Sequence, residues 1–97
     1  MLFTYILNFR EGTYISQVEA KSIKDSVAAW IEKLKKDQNI QHLGPKGISE
    51  IRYLLLESYN ENQPLPIKRL ENTWCTSFSI KKGFGLVNIV QTDIQSK

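Results

Sequence analysis

The chain has 97 residues, a length that normally folds as one domain around a single modest hydrophobic core. Hydrophobic residues make up 41% and charged residues 24% of the sequence, a balance that argues against intrinsic disorder, and there is no run of about 20 apolar residues to span a membrane. The formal net charge is +3, which is compatible with an anionic partner but does not require one.

Metal, disulfide and secretory functions are disfavoured by the sequence. It contains a single cysteine, Cys75, and a single histidine, His42. An intrachain disulfide is therefore excluded, a Cys/His zinc site cannot be assembled, and we expect neither a metal nor a cofactor. The first residues lack a basic flank and a small-residue cleavage site, so we expect a cytoplasmic protein.

The amino-terminal residues 1–20 predict a β-hairpin. Apolar and polar residues alternate on both sides of Glu11-Gly12, which interrupts the pattern. A two-residue turn at these positions pairs Phe9 with Tyr14 and places the aromatic residues on one face. The predicted inner face consists of Phe3, Tyr5, Leu7, Phe9, Tyr14, Ser16, Val18 and Ala20.

A first helix is predicted over residues 22–37. Ser22 precedes Asp25 by three positions, a pattern typical of a capped helix start. The apolar residues that follow are spaced as a single helical stripe. This stripe consists of Ile23, Val27, Trp30, Ile31 and Leu34. We expect it to cover the aromatic face of the hairpin, so that those aromatic residues form a core and not a ligand platform.

A second helix is predicted over 47–58, and the polar segment after it, broken by Pro64 and Pro66, is predicted to be a loop. A second hairpin is predicted over 72–92. Residues 93–97 are expected to form a frayed tail.

The register of the second hairpin has two alternatives around its turn at Lys81-Lys82-Gly83. A three-residue loop pairs Ile80 with Phe84, whereas a two-residue loop pairs Lys81 with Phe84. We favour the three-residue loop because it groups the largest apolar side chains on one face. It leaves Val87 and Ile89 on the opposite face.

These elements predict an α+β protein with a four-stranded antiparallel sheet in ββααββ order and both helices packed on one face. The two hairpins join either through adjacent edges or across a dimer interface. A homodimer is a further hypothesis, because residues 84–92 carry apolar side chains on both faces and the second helix has a wide apolar stripe.

No catalytic constellation is evident from the residue pattern. A nucleophilic Cys75 would need His42 as its base, and their separation in the chain does not show whether they meet. A cysteine beside Trp74 in a strand is most often a small packed hydrophobe. We therefore expect a non-enzymatic protein, with an enzyme using Cys75 and His42 as the weakest alternative.

Segment 40–51 has the most specific local pattern, carried by Leu43-Gly44, Lys46 and Glu50-Ile51. It resembles the turn and second helix of a helix-hairpin-helix element and the C-terminal domain of bacterial RNA polymerase α subunits, with Gly47 where the latter has serine. The resemblance implies backbone amides and a cationic side chain presented to DNA phosphate. The residues predicted for nucleic-acid contact are Gly44, Lys46 and Gly47, with Lys33, Lys35 and Lys36 assisting.

Residues 1–40 also resemble the opening of HicB-type antitoxins, although Glu19-Ala-Lys-Ser22 stands where a Pro-Asp-Leu-Pro-Gly stretch follows the second strand there. The sequence is therefore assigned to no family, and a hairpin followed by a helix does not transfer a function.

The leading functional prediction is a small binding or accessory protein that acts through contact with a protein partner or with a second copy of itself. Such contacts use apolar surface that the fold leaves uncovered. The predicted contact residues are Tyr53, Leu54 and Leu56 of the second helix and Val87 and Ile89 of the last strand.

Overall fold

The protein is described here by a computed structural model that covers residues 1–40 and 42–92; the predicted tail at 93–97 lies outside the described residues. The fold is α+β with an antiparallel sheet. The strands are β1 (Leu2–Phe9), β2 (Gly12–Glu19), β3 (Leu65–Pro66), β4 (Thr73–Ile80) and β5 (Gly83–Gln91). The helices are α1 (Ile23–Asp37), α2 (Gly44–Arg52), a π-helical turn (Tyr53–Glu57) and α3 (Tyr59–Asn62). In the part of the chain described, no helix is both long enough and apolar enough to cross a lipid bilayer.

The sheet has five strands in the order β2-β1-β5-β4-β3, so the predicted four-stranded sheet and ββααββ order are wrong. The additional strand is β3, which pairs with Trp74 and Cys75 of β4. The sequence predicts a loop there because of Pro64 and Pro66, but proline is tolerated on an edge strand, where one side needs no amide donor. The two hairpins join through β1 and β5, which are adjacent in one chain.

The first hairpin turns at Arg10-Glu11, one residue earlier than predicted, and its register shifts by two. Phe9 pairs with Gly12 and Tyr5 with Ser16. Because the shift is even, every side chain keeps its predicted face. Arg10 adopts a positive φ of 56°, while Gly12 lies under the Tyr14 ring, where an added Cβ would be 2.6 Å from the Tyr14 hydroxyl oxygen. The glycine therefore allows a close approach and is not the turn residue.

The second hairpin has a two-residue turn at Lys81-Lys82, with Ile80 paired to Gly83. Both predicted registers are wrong. Relative to the favoured one, β5 is displaced by an odd number of residues, so its two faces are exchanged. Val87 and Ile89 are both 0% exposed in the core, whereas Phe84 is 59% exposed on the opposite face. The inner residues of β5 instead lie beside those of β1 in the middle of the sheet.

The helix α1 covers the sheet as its stripe predicts. The Ser22 hydroxyl accepts a hydrogen bond from the Asp25 amide at 3.1 Å and caps the helix. Trp30 is 2% exposed and stacks on Tyr5, with ring centroids 4.9 Å apart and 18° between the planes. The aromatic residues of β1 are thus core residues, and burial of this kind is the main source of cohesion.

A short hydrogen-bond chain crosses the core beneath α1. The Ser26 hydroxyl donates to the Ile23 carbonyl at 2.6 Å and lies 2.7 Å from the Tyr5 hydroxyl oxygen. Because Ser26 uses its single proton on the carbonyl, Tyr5 donates to Ser26. Burial raises the pKa of the Tyr5 hydroxyl well above its usual value, since a buried phenolate would lose its hydration.

We expect Tyr5→Phe to lower the free energy of unfolding by about 1 kcal/mol near neutral pH, the usual effect of losing one buried hydrogen bond. The raised pKa of the Tyr5 hydroxyl also makes the free energy of unfolding depend on pH. The contribution of neutral Tyr5 is fully present below the unfolded-state pKa of about 10, and it is lost as the pH rises towards the higher pKa of the folded state. Urea unfolding at neutral and alkaline pH measures both effects. Tyr53→Phe, at an exposed site, is the control. An alkaline loss of stability equal in Tyr5→Phe and the parent would contradict the assignment.

The second helical segment starts earlier and ends later than predicted. The helix α2 begins at Gly44, with Pro45 in its first turn, a position where the missing proline amide costs nothing. After Arg52 the chain continues through the π-helical turn into α3. Residues predicted to share one regular helix are therefore divided by a change in helical geometry.

Candidate functional site

A groove of about 400 Å³ lies between the second helical segment and the end of β4. It is lined by Ser49, Glu50, Tyr53, Leu54, Ser79, Ile80 and Lys81. Leu54 and Ile80 are half-buried, whereas Tyr53 is 57% exposed. The groove thus combines an apolar floor with a large aromatic side chain that is accessible at its wall.

The π-helical turn positions this wall. The Ser58 amide donates to the Tyr53 carbonyl at 2.9 Å, closing a turn one residue wider than that of an α-helix. Within the same turn Leu55 is buried and anchors the segment to the core, while Tyr53 remains outside. Such turns are rare and are frequently found at functional sites.

The rim of the groove carries Glu50 and Lys81, and two further lysines near it make the balance of charge basic. Lys46, Glu50 and Tyr53 are spaced so that they lie along one side of the helical segment. The Glu50 carboxylate accepts a hydrogen bond from the Lys81 backbone amide at 3.3 Å, which ties α2 to the turn after β4. The Lys82 ammonium lies 3.4 Å from the position that a Cβ on Gly44 would occupy, so it reaches the start of α2.

The two hairpin turns meet beside this rim. The Arg10 guanidinium donates to the Lys82 carbonyl at 3.0 Å. Arg10, Lys46, Lys81 and Lys82 therefore lie at the same end of the molecule, and within residues 1–40 and 42–92 none of them belongs to an ion pair. Unpaired cations beside a helix start favour anionic groups.

The structure does not bring together the six residues predicted for nucleic-acid contact. Gly44 and Lys46 lie at the start of α2. Gly47 is buried, and a Cβ there would be 2.7 Å from Leu43 Cδ1, so its small size serves packing. The three remaining lysines are all in or near the last turns of α1.

These α1 lysines point to different surroundings. Lys33 forms an ion pair with Asp37 at 3.8 Å and borders a depression beside β2. Lys35 pairs with Glu32 at 3.8 Å and lies near Pro45. Lys36 is exposed in the last turn. Two of these three lysines therefore have an acidic partner, and Lys35 lies close to the start of α2.

The predicted protein-contact residues also lie in different parts of the structure. Tyr53 and Leu54 line the groove, and Leu56 is half-buried against the core. Val87 and Ile89 are inside the core, so their predicted exposure is wrong. The contributions of β4 and its turn to the groove are not predicted by the sequence pattern, because they depend on a contact between segments far apart in the chain.

Cys75 and His42 are not brought together. Cys75 belongs to the sheet face opposite the helices, and its Sγ lies 3.9 Å from the Thr76 carbonyl oxygen. His42 lies on the helix side, where it lines a cavity of about 630 Å³ with residues of the first turn. The described residues also include no group of three or more His, Cys, Asp or Glu side chains arranged to hold a metal ion.

Comparisons with protein-family models, curated proteins and solved structures found no match to this chain. The local resemblance of segment 40–51 to DNA-binding elements concerns the start of one helix. Among the described residues, the groove and its basic rim are the features that bear most directly on function.

Proposed function

We propose that this protein is a small, non-enzymatic cytoplasmic accessory protein that binds a protein partner in the groove beside the π-helical turn. The observation that carries the proposal is Tyr53, an exposed aromatic side chain next to the half-buried Leu54 and Ile80. Aromatic residues beside a pocket that can be desolvated supply much of the binding energy in protein interfaces. A tyrosine also presents a large contact area at a small cost in side-chain entropy.

The chemistry of the groove defines the partner. Its apolar floor accommodates an apolar side chain, and the cations Lys46, Lys81 and Lys82 favour carboxylates on either side of that anchor. We therefore infer a partner segment that carries one large apolar residue flanked by acidic residues. Charged residues at the rim mainly accelerate association and select the partner, whereas the apolar contact determines how long the complex lasts.

The alternative proposal is nucleic-acid binding through the Leu43-Gly44-Pro45-Lys46 turn and the first amides of α2. The same cations would attract phosphate. Protein contact is favoured because the groove behind Lys46 is apolar and because Lys33 and Lys35 are engaged in ion pairs. The two proposals differ in their dependence on Tyr53.

A displayed library of random peptides tests the proposal. We expect enriched peptides to share an apolar residue with acidic neighbours and to bind Tyr53→Ala about 30-fold more weakly, the effect of losing an aromatic hot spot. Phe84→Ala is the matched control, because Phe84 is 59% exposed compared with 57% for Tyr53 but lies on the opposite face. Lys46→Glu should weaken binding and reduce its salt dependence.

Two outcomes would count against the proposal. One is a set of peptides whose affinity is unchanged by Tyr53→Ala, and the other is failure to enrich any peptide. Salt-sensitive binding of a DNA oligonucleotide, weakened by Lys46→Glu and unaffected by Tyr53→Ala, would favour the nucleic-acid alternative instead.

A further inference from the structure

The two edges of the sheet are built differently. One edge is β3, only two residues long, with Pro64 before it and Pro66 within it. The other edge is β2, whose eight residues pair with β1 without interruption. Protein edges are usually protected by prolines, lysines, bulges or short strands, and β2 contains neither proline nor lysine. One edge is thus protected, whereas none of the other described strands pairs along the outer side of β2.

The outward-facing backbone groups of β2 follow from its hydrogen bonds to the first strand. The Met1 amine donates to the Ala20 carbonyl at 2.9 Å, and the Ala20 amide donates to the Met1 carbonyl at 3.0 Å. Because hydrogen-bonded pairs alternate in an antiparallel ladder, every second residue before Ala20 also faces β1. The residues whose backbone groups face outward are Thr13, Ile15, Gln17 and Glu19, and all of them are exposed.

We infer that β2 pairs antiparallel with β2 of a second copy, which joins the two sheets about a two-fold axis at Ser16. This inference is independent of the groove. In this register Ile15 lies opposite the partner's Gln17, and Thr13 lies opposite the partner's Glu19. Every outward-facing amide and carbonyl of the strand then has a partner, as an isologous dimer interface requires.

The charges flanking the strand favour this register. It places Glu11 opposite the partner's Lys21 at both ends of the interface. A shift of two residues towards the turn would instead place Glu11 opposite the partner's Glu19, a repulsion that occurs twice because of the symmetry. The charges therefore favour the axis at Ser16 over the register shifted towards the turn.

The side chains on the helix side are also complementary. Tyr14 lies opposite the partner's Val18, so the apolar core continues across the interface. Lys33 and Asp37 border the depression next to Ile15. The two-fold axis makes the α1 helices of the two copies antiparallel on this side of the sheet.

The unmodified protein provides the first test. Sedimentation velocity across a dilution series should show a dimer that dissociates. In the dimer, the amides of Thr13, Ile15, Gln17 and Glu19 should exchange with deuterium more slowly than after dilution to the monomer. A monomer at every concentration up to about 500 µM, or a dimer in which these amides exchange as fast as in the monomer, would overturn the inference.

Variants provide the second test. Gln17→Pro removes one outward amide and leaves the backbone hydrogen bonds to β1 in place, although the side-chain hydrogen bond from Gln17 to Thr4 is lost. We expect it to weaken dimerisation at least about tenfold. The control Phe84→Ala should leave the dimer unchanged. Dimerisation that resists Gln17→Pro and is lost in Phe84→Ala would instead show contact through the open face of the sheet.

A charge exchange tests the register even if the proline variant does not fold. Glu11→Lys and Lys21→Glu should each weaken dimerisation about threefold, as expected for exposed ion pairs, and the double exchange should restore it. Weakening that persists or increases in the double variant would overturn the proposed register.

Discussion

Replacing Trp30 with alanine is expected to lower the free energy of unfolding by about 3–5 kcal/mol, the range found when a large aromatic side chain is removed from a packed core. Trp30 is 2% exposed and stacks on Tyr5 at 4.9 Å between ring centroids. The variant loses both the apolar area and this ring contact, and α1 loses its main attachment to the hairpin. For a chain of this size, such a loss is a large fraction of the total stability.

Urea unfolding followed by circular dichroism measures this effect, and Phe84→Ala is the control because its side chain is exposed. The control should change the unfolding free energy by no more than about 0.5 kcal/mol. A loss below about 1 kcal/mol for Trp30→Ala would mean that the α1 stripe is not seated on the aromatic face. In that case the aromatic residues of β1 would become accessible, and a stacking surface would have to be considered again.

The contact between α1 and the hairpin was predictable because it depends on local periodicity. A strand alternates faces at every residue, and a helix repeats every three or four residues, so both faces can be assigned before any register is known. The sequence therefore predicts that Tyr5 and Trp30 share one core. The two-residue shift in the register of the first hairpin leaves these assignments correct, because an even shift keeps every side chain on the same face of the sheet.

The inner and outer faces of the second hairpin could not be predicted from the local pattern. Grouping the largest side chains favoured one register, yet the structure places Val87 and Ile89 inside and Phe84 outside. The inner face of β5 is set by β1 and β4 on its two sides, which is a constraint from distant parts of the chain. A displacement by an odd number of residues then exchanges the whole face.

The candidate groove was predictable in part for the same reason. The sequence predicts Tyr53 and Leu54 as contact residues because the apolar stripe of the second helix is wider than packing against one neighbouring element requires. Ile80 and Lys81 reach the groove through the contact between Glu50 and the turn after β4, which no local pattern encodes. The π-helical turn that separates Tyr53 from Leu55 also has no distinct signal in the sequence.

The groove and the open edge lie on opposite sides of the sheet order, since β4 and β2 are separated by β5 and β1. Pairing through β2 therefore leaves both grooves of a dimer accessible. If a partner carries two matching segments, the second contact becomes intramolecular and raises the overall affinity without any new interface. The proposed dimer would in this way strengthen the proposed binding, although each can be tested alone.

Gly85→Ala is expected to lower the free energy of unfolding by about 3 kcal/mol, even though alanine restricts the unfolded chain more than glycine does. An added Cβ would clash with Cζ of Phe78 and would lie 2.6 Å from two further ring atoms. The Phe78 ring is itself buried and tilted against Phe9, with centroids 6.0 Å apart. It cannot move aside without disturbing the centre of the sheet, so the substitution overpacks the core.

A double-mutant cycle with Phe78→Leu separates this clash from a general effect on the strand. The smaller side chain should make Gly85→Ala less harmful by about 1 kcal/mol or more, because it no longer extends under the added methyl group. Gly47→Ala is the control at a second closely packed glycine: its Cβ would lie 2.7 Å from Cδ1 and 3.2 Å from Cγ of Leu43, a flexible side chain that can shift where the Phe78 ring cannot, and alanine is favoured within a helix. We expect that control to change stability by less than about 1 kcal/mol. If Gly85→Ala lowers the free energy of unfolding equally with Phe or Leu at position 78, the glycine is required by the backbone conformation of β5 and not by the Phe78 ring.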